Sequence, residues 1–352
     1  MAELEERPYI TREDIDLTGM PHERMKRCLL LDNGTVNYYL DPNDSTLKED
    51  GSPAVLDGTD GQVMVEIPKF WYRKLAGTVG GEKSYRFEIS DEPADGFELH
   101  PAFYRDRNGD GIAEEVDFRY MSAFMGVGSG ETTTTSLPNK LPAGNINIGT
   151  ARTYCESRGT GWGLADYNLI YAIQILYITE FGHPDSQTMI GRGYVDGNSS
   201  STSTGSTLQY GNNTFGETTG KQQMSYRGIE DLWGNTFYWL DGIATDSSYN
   251  VLIGNVGFND SGAGYEVYTT GISADVLGHI GDVHDNSDLG FIIKTGGGTD
   301  SSKLYDSGSL YSARVASFGG AWSNTSTAGV FALRLNNSAS GAHSAFTCRL
   351  SF

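Results

Sequence analysis

The residues best spaced for chemistry lie in one stretch, Asp106-Arg107-Asn108-Gly109-Asp110-Gly111-Ile112-Ala113-Glu114-Glu115-Val116-Asp117. It matches the twelve-residue calcium loop. Asp106, Asn108 and Asp110 offer oxygens at the first, third and fifth positions, Gly111 makes the sharp turn, and Ile112 offers its backbone carbonyl. Glu114 falls at the ninth position. Asp117 stands at the last, where the motif has a Glu, and its shorter reach works against bidentate closure. The flanks, His100 to Tyr104 and Phe118 to Tyr120, read as strands, so this is a loop between strands and not an EF-hand. Structural calcium and a solvated acidic hairpin tip both remain open.

Other reactive sets are thinner. Cys28, Cys155 and Cys348 are the only cysteines. An odd, sparse set builds no disulfide framework and suits a reducing compartment. Cys348 reads as a buried small hydrophobe, without a second thiol near it in the sequence. His279 and His284 flank Asp282 at a spacing that fits no helix face, and the stretch reads as a surface turn. No Gly-x-x-x-x-Gly-Lys phosphate loop occurs, and Gly-x-Gly pairs arise by chance among 46 glycines.

The composition narrows the function classes. The 352 residues carry a formal net charge of −20, which repels phosphate and anionic membranes, so neither nucleic acid nor a membrane surface is an expected partner. The first residues lack a basic start followed by an apolar run, and no stretch reaches the roughly 20 apolar residues of a membrane span. The chain is therefore expected to be made in a cytoplasm without a secretion signal. With 38% hydrophobic residues it can bury a core, while its glycines and 20% charged residues point to turns and short strands.

The elements that must position these residues follow a strand–helix–strand order. Pro21 to Cys28 reads as a short helix. Leu29 to Leu31 and Val36 to Leu40 read as a hairpin around Asn33-Gly34. Val63 to Ile67, Tyr85 to Ile89 and Phe118 to Phe124 read as strands. Thr150 to Arg158 and Ala165 to Phe181 read as helices. The second recurs in Leu169, Ala172, Ile173, Leu176 and Tyr177, has a broad apolar side, and stops at Gly182. Gly197 to Gly220, rich in Ser, Thr, Gly and Asn, reads as a long mobile loop. Short strands then run to Phe352. The class is α+β, mostly short antiparallel strands with two helices.

Three stretches carry a resemblance. Asp231-Leu232-Trp233-Gly234-Asn235-Thr236-Phe237-Tyr238-Trp239 is similar to the Gly-Asn-Val-Trp-Glu-Trp signature of the formylglycine-generating-enzyme branch of C-type-lectin folds. Arg314-Val315 with Gly319-Gly320-Ala321-Trp322 resembles that branch's Arg-Val and Gly-Gly-Ser-Trp. Phe346-Thr347-Cys348-Arg349-Leu350 stands in place of its Gly-Phe-Arg ending. Within the branch, Gly319-Gly320-Ala321-Trp322, Ala328-Gly329-Val330-Phe331, Leu335-Asn336-Asn337 and Arg349 resemble the C-terminal segment of retroelement-diversified phage receptor-binding proteins.

The resemblance implies a C-type-lectin-like domain over residues 61–352, with a strand-rich insertion at about 75–118 and a variable ligand-binding segment at 314–352. Residues 1–60 would be an attachment or assembly segment. It also implies a virion protein at a tail tip or fibre, contacts to other tail proteins, a homotrimer, and a bacterial surface receptor, protein or glycan, as ligand. The branch's catalysis needs a pair of cysteines near the C-terminus, and Cys348 alone does not supply it, so no enzymatic activity is expected. A structural tail protein without a receptor role and a formylglycine-type oxidase are the rival readings.

The C-terminal segment has the composition such a binding face needs. Trp322, Val330, Leu333, Leu335 and Leu350 are expected as the apolar frame. Ala316, Phe318, Ala321, Ser323, Asn324, Thr327, Ala332, Arg334, Asn336, His343 and Ala345 are expected as the contact positions between them. Exposed positions on a fixed frame tolerate many side chains at little cost in stability.

Overall fold

The computed structural model describes residues 10–12, 18–79, 81–128 and 132–352. Among these, strands dominate and two helices longer than one turn stand out, α1 (Ile148–Glu156) and α2 (Tyr167–Phe181). Each begins where a side chain satisfies a free backbone N–H. Asn147 accepts from Thr150 at 2.8 Å, and Asp166 accepts from Leu169 at 3.0 Å. α2 stops at Gly182 with φ 66°, a left-handed cap that favours glycine. It is apolar nearly all round, and the residues from Tyr167 to Thr179 are all buried. Such a helix is stable only in the middle of a core.

Two large sheets make up much of the rest of the fold, and α2 packs against Phe237–Thr245 of the second. In the first, the strand order is Gly163–Leu164, Leu350–Ser351, Phe118–Ser122, Gln62–Pro68, Lys26–Leu30, Val36–Tyr39. The last strand of the chain thus sits between elements from residues 118 and 163. The predicted hairpin forms, one residue or more displaced, as Lys26–Leu30 against Val36–Tyr39. Pairing of Lys26–Leu30 with Gln62–Pro68 and with Val36–Tyr39 ties these segments into one sheet, so hydrogen bonding crosses residue 60. The same pairing corrects the short helix expected over Pro21 to Cys28. A single 3-10 turn, Pro21–Arg24, gives way to the strand, because ladder partners and the burial of Arg27 outweigh local helix preference.

The second sheet runs Glu266–Tyr268, Val251–Ile253, Phe237–Thr245, Val315–Phe318, Leu333–Asn337, Ser307–Leu310, Val276–Val283, Ile293–Gly296, with Phe346–Thr347 added in parallel beside Phe237. The surface turn expected around His279 is corrected here. Val276–Val283 is a strand, and His284, just beyond it, is buried and held neutral, its pKa pushed down to about 4 by that burial. A third sheet pairs Trp71–Val79 with Glu82–Ser90 over nine positions, starting before the expected insertion.

The 197–220 stretch has no strand, as its composition suggested, but it is not loose. Thr204 Oγ1 donates to Leu137 O at 2.7 Å, and Gly205 N and Thr207 N donate to the Glu230 carboxylate at 2.7 and 2.8 Å. Buried polar groups need partners, and here a loop supplies them to a buried glutamate.

Candidate functional site

The C-terminal face is built on a knot of buried polar groups. Arg349 is fully buried. It donates to Ser122 O at 3.0 Å, to Asp231 O at 2.7 Å, and to Glu230 O. Asp231 in turn accepts from Gln223 at 2.5 Å and from the Asn235 side chain at 2.8 Å. Burial, with Glu230 beside it, pushes the Asp231 carboxyl up to about 8. Both Asp231 and Asn235 adopt positive φ, 52° and 61°, a conformation that short polar side chains tolerate. Asn235 then reaches two loops. Its side chain exchanges bonds of 2.9 and 3.1 Å with Thr202, and its carbonyl accepts from Trp322 N at 3.0 Å. The Asp231–Trp239 motif and the Arg349 ending are thus scaffold, placing Trp322 and the loop after it.

Gly319 and Gly320, with φ near 93° and 91°, make the tight approach before Trp322 possible. A Cβ on Gly320 would meet the Ala328 Cβ at 2.5 Å, and one on Gly319 would meet Leu232 O at 2.9 Å.

Outside this knot lies an aromatic stack. Phe346 stacks on Trp239 at 4.6 Å and on Phe237 at 5.2 Å, and the Arg334 guanidinium lies over Phe237 at 4.8 Å. The register explains why Arg334 and Asn336 face outward. On Leu333–Asn337, Leu333 and Leu335 point into the core, so the alternate residues point away. Asn324 is fixed within its own turn: it accepts from Ala321 N at 2.9 Å, and its carbonyl accepts from Thr327 Oγ1 at 2.6 Å. His343 is exposed, and its backbone carbonyl accepts from Asn145 N and Phe346 N, which joins this segment to the approach of α1. A shallow groove of about 670 Å³ runs beside it, lined by Asn147, Thr150, Tyr154, Asp260, Ala339 and Ser340.

Of the expected contact residues, Ser323, Asn324, Thr327, Arg334, Asn336 and His343 are exposed or half-buried on this face. The others need correction. Ala316 and Phe318 are fully buried, opposite Leu240 and Tyr238 in the ladder. Ala332 is buried where the chain enters the Leu333 strand, and Ala321 and Ala345 close over Phe237. All five side chains are buried. Trp322, expected as frame, is half-buried and packs against this cluster. The aromatic stack was missed. The alternation of Phe237 and Trp239 along one strand was visible, but its partner Phe346 comes from a distant strand.

The calcium-loop residues form a tight turn of their own. Asp106 accepts from Gly109 N at 2.7 Å and Gly111 N at 2.9 Å, Asn108 accepts from Asp110 N at 3.0 Å, and Asp110 accepts from Ile112 N at 2.8 Å. Asp117, which would close the loop, pairs with Lys69 at 2.7 Å. Among the described residues no group of three or more acidic, histidine or cysteine side chains converges as a metal site. A cation here would compete with Lys69 for Asp117.

Cys348 is not isolated, contrary to expectation. α1 packs Cys155 against it, and both are fully buried in one cluster with Trp239, Val315 and Leu350. Thr134 Oγ1 lies 3.1 Å from the Cys348 Sγ. Burial pushes the Cys155 thiol up, and a hydrogen bond from Cys155 holds Cys348 down.

No family model and no curated protein matches the chain. Among solved structures, the chain is similar to the Major Tropism Determinant U1 and I1 variants, each at 12% identity and a TM-score of 0.32, over 81% of this chain and 72% of the other. The M1 variant follows at 11% identity and a TM-score of 0.21, over 81% and 71%.

Proposed function

We propose that the chain is a virion receptor-binding protein, placed at a tail tip or fibre, that grips a bacterial surface ligand through its C-terminal face. The observation that carries this is the contrast within one short segment. Trp322, Asn324, Arg334, Asn336 and His343 are exposed or half-buried, while Asn235, itself fixed by Asp231 beside Arg349, holds the Trp322 backbone. A rigid aromatic and arginine centre with adaptable Asn and Ser around it is the composition of a binding face. The sequence resemblance to phage receptor-binding proteins on a C-type-lectin-type fold supports the same reading. Trimerisation, part of the proposal, would multiply weak single-site contacts by avidity. The proposal includes no catalysis: the Cys155 and Cys348 thiols are sealed from solvent.

The test is attachment of the purified full chain to a panel of bacterial cells. Exchanging residues 316–346 for a polar linker-like segment is expected to abolish it. Trp322→Ala and Arg334→Ala are each expected to weaken it by about tenfold or more. Attachment unchanged by all three would leave a structural tail protein as the better account. Thiol oxidation of a peptide by the chain with copper would favour an oxidase.

A further inference from the structure

Arg105 poses a question the C-terminal face does not answer. Its side chain is only 7% exposed, and its Nε is buried without a hydrogen-bond partner. Among the described residues no carboxylate lies within ion-pair distance of it, and its one close aromatic contact is the Phe258 ring, 5.5 Å from the guanidinium carbon. Other buried arginines have close partners for the rest of the guanidinium, although the Nε of Arg119 and that of Arg349 also lack one. Arg349 donates to three carbonyls. Arg119 pairs with Asp166 at 2.5 Å, and Arg152 pairs with Asp241 at 2.6 Å and Asp260 at 2.9 Å. Asp166 and Asp241 also attract Arg105 from a distance, but each already has an arginine of its own. Burial and the neighbouring Arg119 lower the Arg105 pKa to about 10, so it stays charged near neutrality.

A buried charge without a partner is costly, and proteins retain one where something else supplies the counter-charge. Arg105 lines a cavity of about 580 Å³ between the Asp106 turn, the Gly159–Gly163 run and the segment around Phe258. Gly163 matters to the geometry: a Cβ there would come within 2.7 Å of the Arg105 Nη2. The cavity is large enough for a monosaccharide-sized ligand.

We infer that this cavity is a second binding site, which takes the carboxylate of a small acidic ligand on the Arg105 guanidinium, with the ligand's apolar side against Phe258. The planar fork of a guanidinium fits a carboxylate by two parallel bonds. Asp106 and Glu156 on the cavity wall, and a chain charge of −20, disfavour a dianion and leave a monoanion as the better fit. The inference is independent of the C-terminal face, because it uses none of that face's residues.

The experiment uses the full chain with sodium glucuronate, its neutral methyl ester, and sodium chloride at matched ionic strength. Ligand-observed NMR and thermal melting report binding. A dissociation constant of about 1 mM corresponds to a rise of about 2 °C in melting temperature at about 20 mM glucuronate. The ester and the salt are expected to give neither a melting shift nor saturation transfer. Arg105→Lys keeps the charge but loses the fork, and is expected to bind about tenfold more weakly. Arg105→Met is expected to abolish binding. Equal effects of glucuronate and its ester, or glucuronate binding that persists in Arg105→Met, would overturn the inference. If Arg105→Met fails to fold, Arg105→Lys binding as tightly as the parent overturns it instead.

Discussion

The C-terminal face and the Asp106–Asp117 turn are both short, polar and rich in Gly, Asn or Asp, yet they spend their polar atoms differently. In the turn, the side-chain oxygens accept from the turn's own backbone: Asp106 from Gly109 and Gly111, Asp110 from Ile112. The C-terminal segment also closes one turn on itself, Asn324 on Ala321, but its Trp322 backbone is held from outside by Asn235, and Arg334, Asn336 and His343 stay exposed or half-buried. A self-satisfied turn has little left to offer a partner. A segment supported from behind has its outward side chains available. The number of polar residues in a stretch therefore says less about recognition than where their hydrogen bonds go.

The largest effect should come from removing the support. Arg349→Met leaves the carbonyls of Ser122, Glu230 and Asp231 without this donor, and is expected to cost about 1–3 kcal/mol for each carbonyl left unsatisfied, read in denaturant unfolding. A cost near that of a surface substitution would mean that the face does not depend on this knot.

Next in size is the pH response of that knot. The Asp231 carboxyl is raised to about 8 from an ordinary 3.8, so the folded state holds its proton where the unfolded state has released it. Its contribution to stability is complete below about pH 4 and is lost as the pH rises toward 8. Asp231→Asn keeps an acceptor for Gln223 and Asn235, and should gain on the parent steadily over that window in melting experiments at stepped pH. Glu230, also raised by burial, leaves a residual slope in the variant. Parallel pH profiles for the two proteins would refute the assignment.

The turn should respond more modestly. Asp106→Ala removes the acceptor of two backbone N–H groups and is expected to cost about 1 kcal/mol, without changing attachment to cells. Asp117→Ala loses an exposed ion pair with Lys69 and should cost about 0.5 kcal/mol. Melting with and without calcium sharpens the comparison. A calcium-dependent rise that Asp117→Ala abolishes would restore the turn as a cation site and erase the difference drawn above. The smallest effect is expected at Asn336. Asn336→Ser should stay within about ±0.5 kcal/mol in stability while still altering attachment, because the residue is half-buried and its Oδ1 has no hydrogen bond to lose.

The sequence by itself determined the local elements and the scaffold. The breadth of the apolar pattern from Leu169 to Tyr177, closed by Gly182, marked a buried helix within two residues of its observed start, because periodicity and capping are local physics. Asn33-Gly34 marked the hairpin for the same reason. The Asp231–Trp239 motif, the Gly319-Gly320 pair and the Arg349 ending were legible as a set, and they form the knot that holds the face. Only the tertiary structure decided which C-terminal residues reach solvent. Ala316, Phe318, Ala332 and Arg334 lie within one stretch of strands, but burial depends on which side of the sheet meets α2 and its neighbours, and strand register settles that. The approach of Cys155 to Cys348, the stacking of Phe346 on Trp239, and an Arg105 without a partner were invisible for one reason. Each depends on contacts between residues far apart in the chain, and spacing along a sequence carries no record of distance in space.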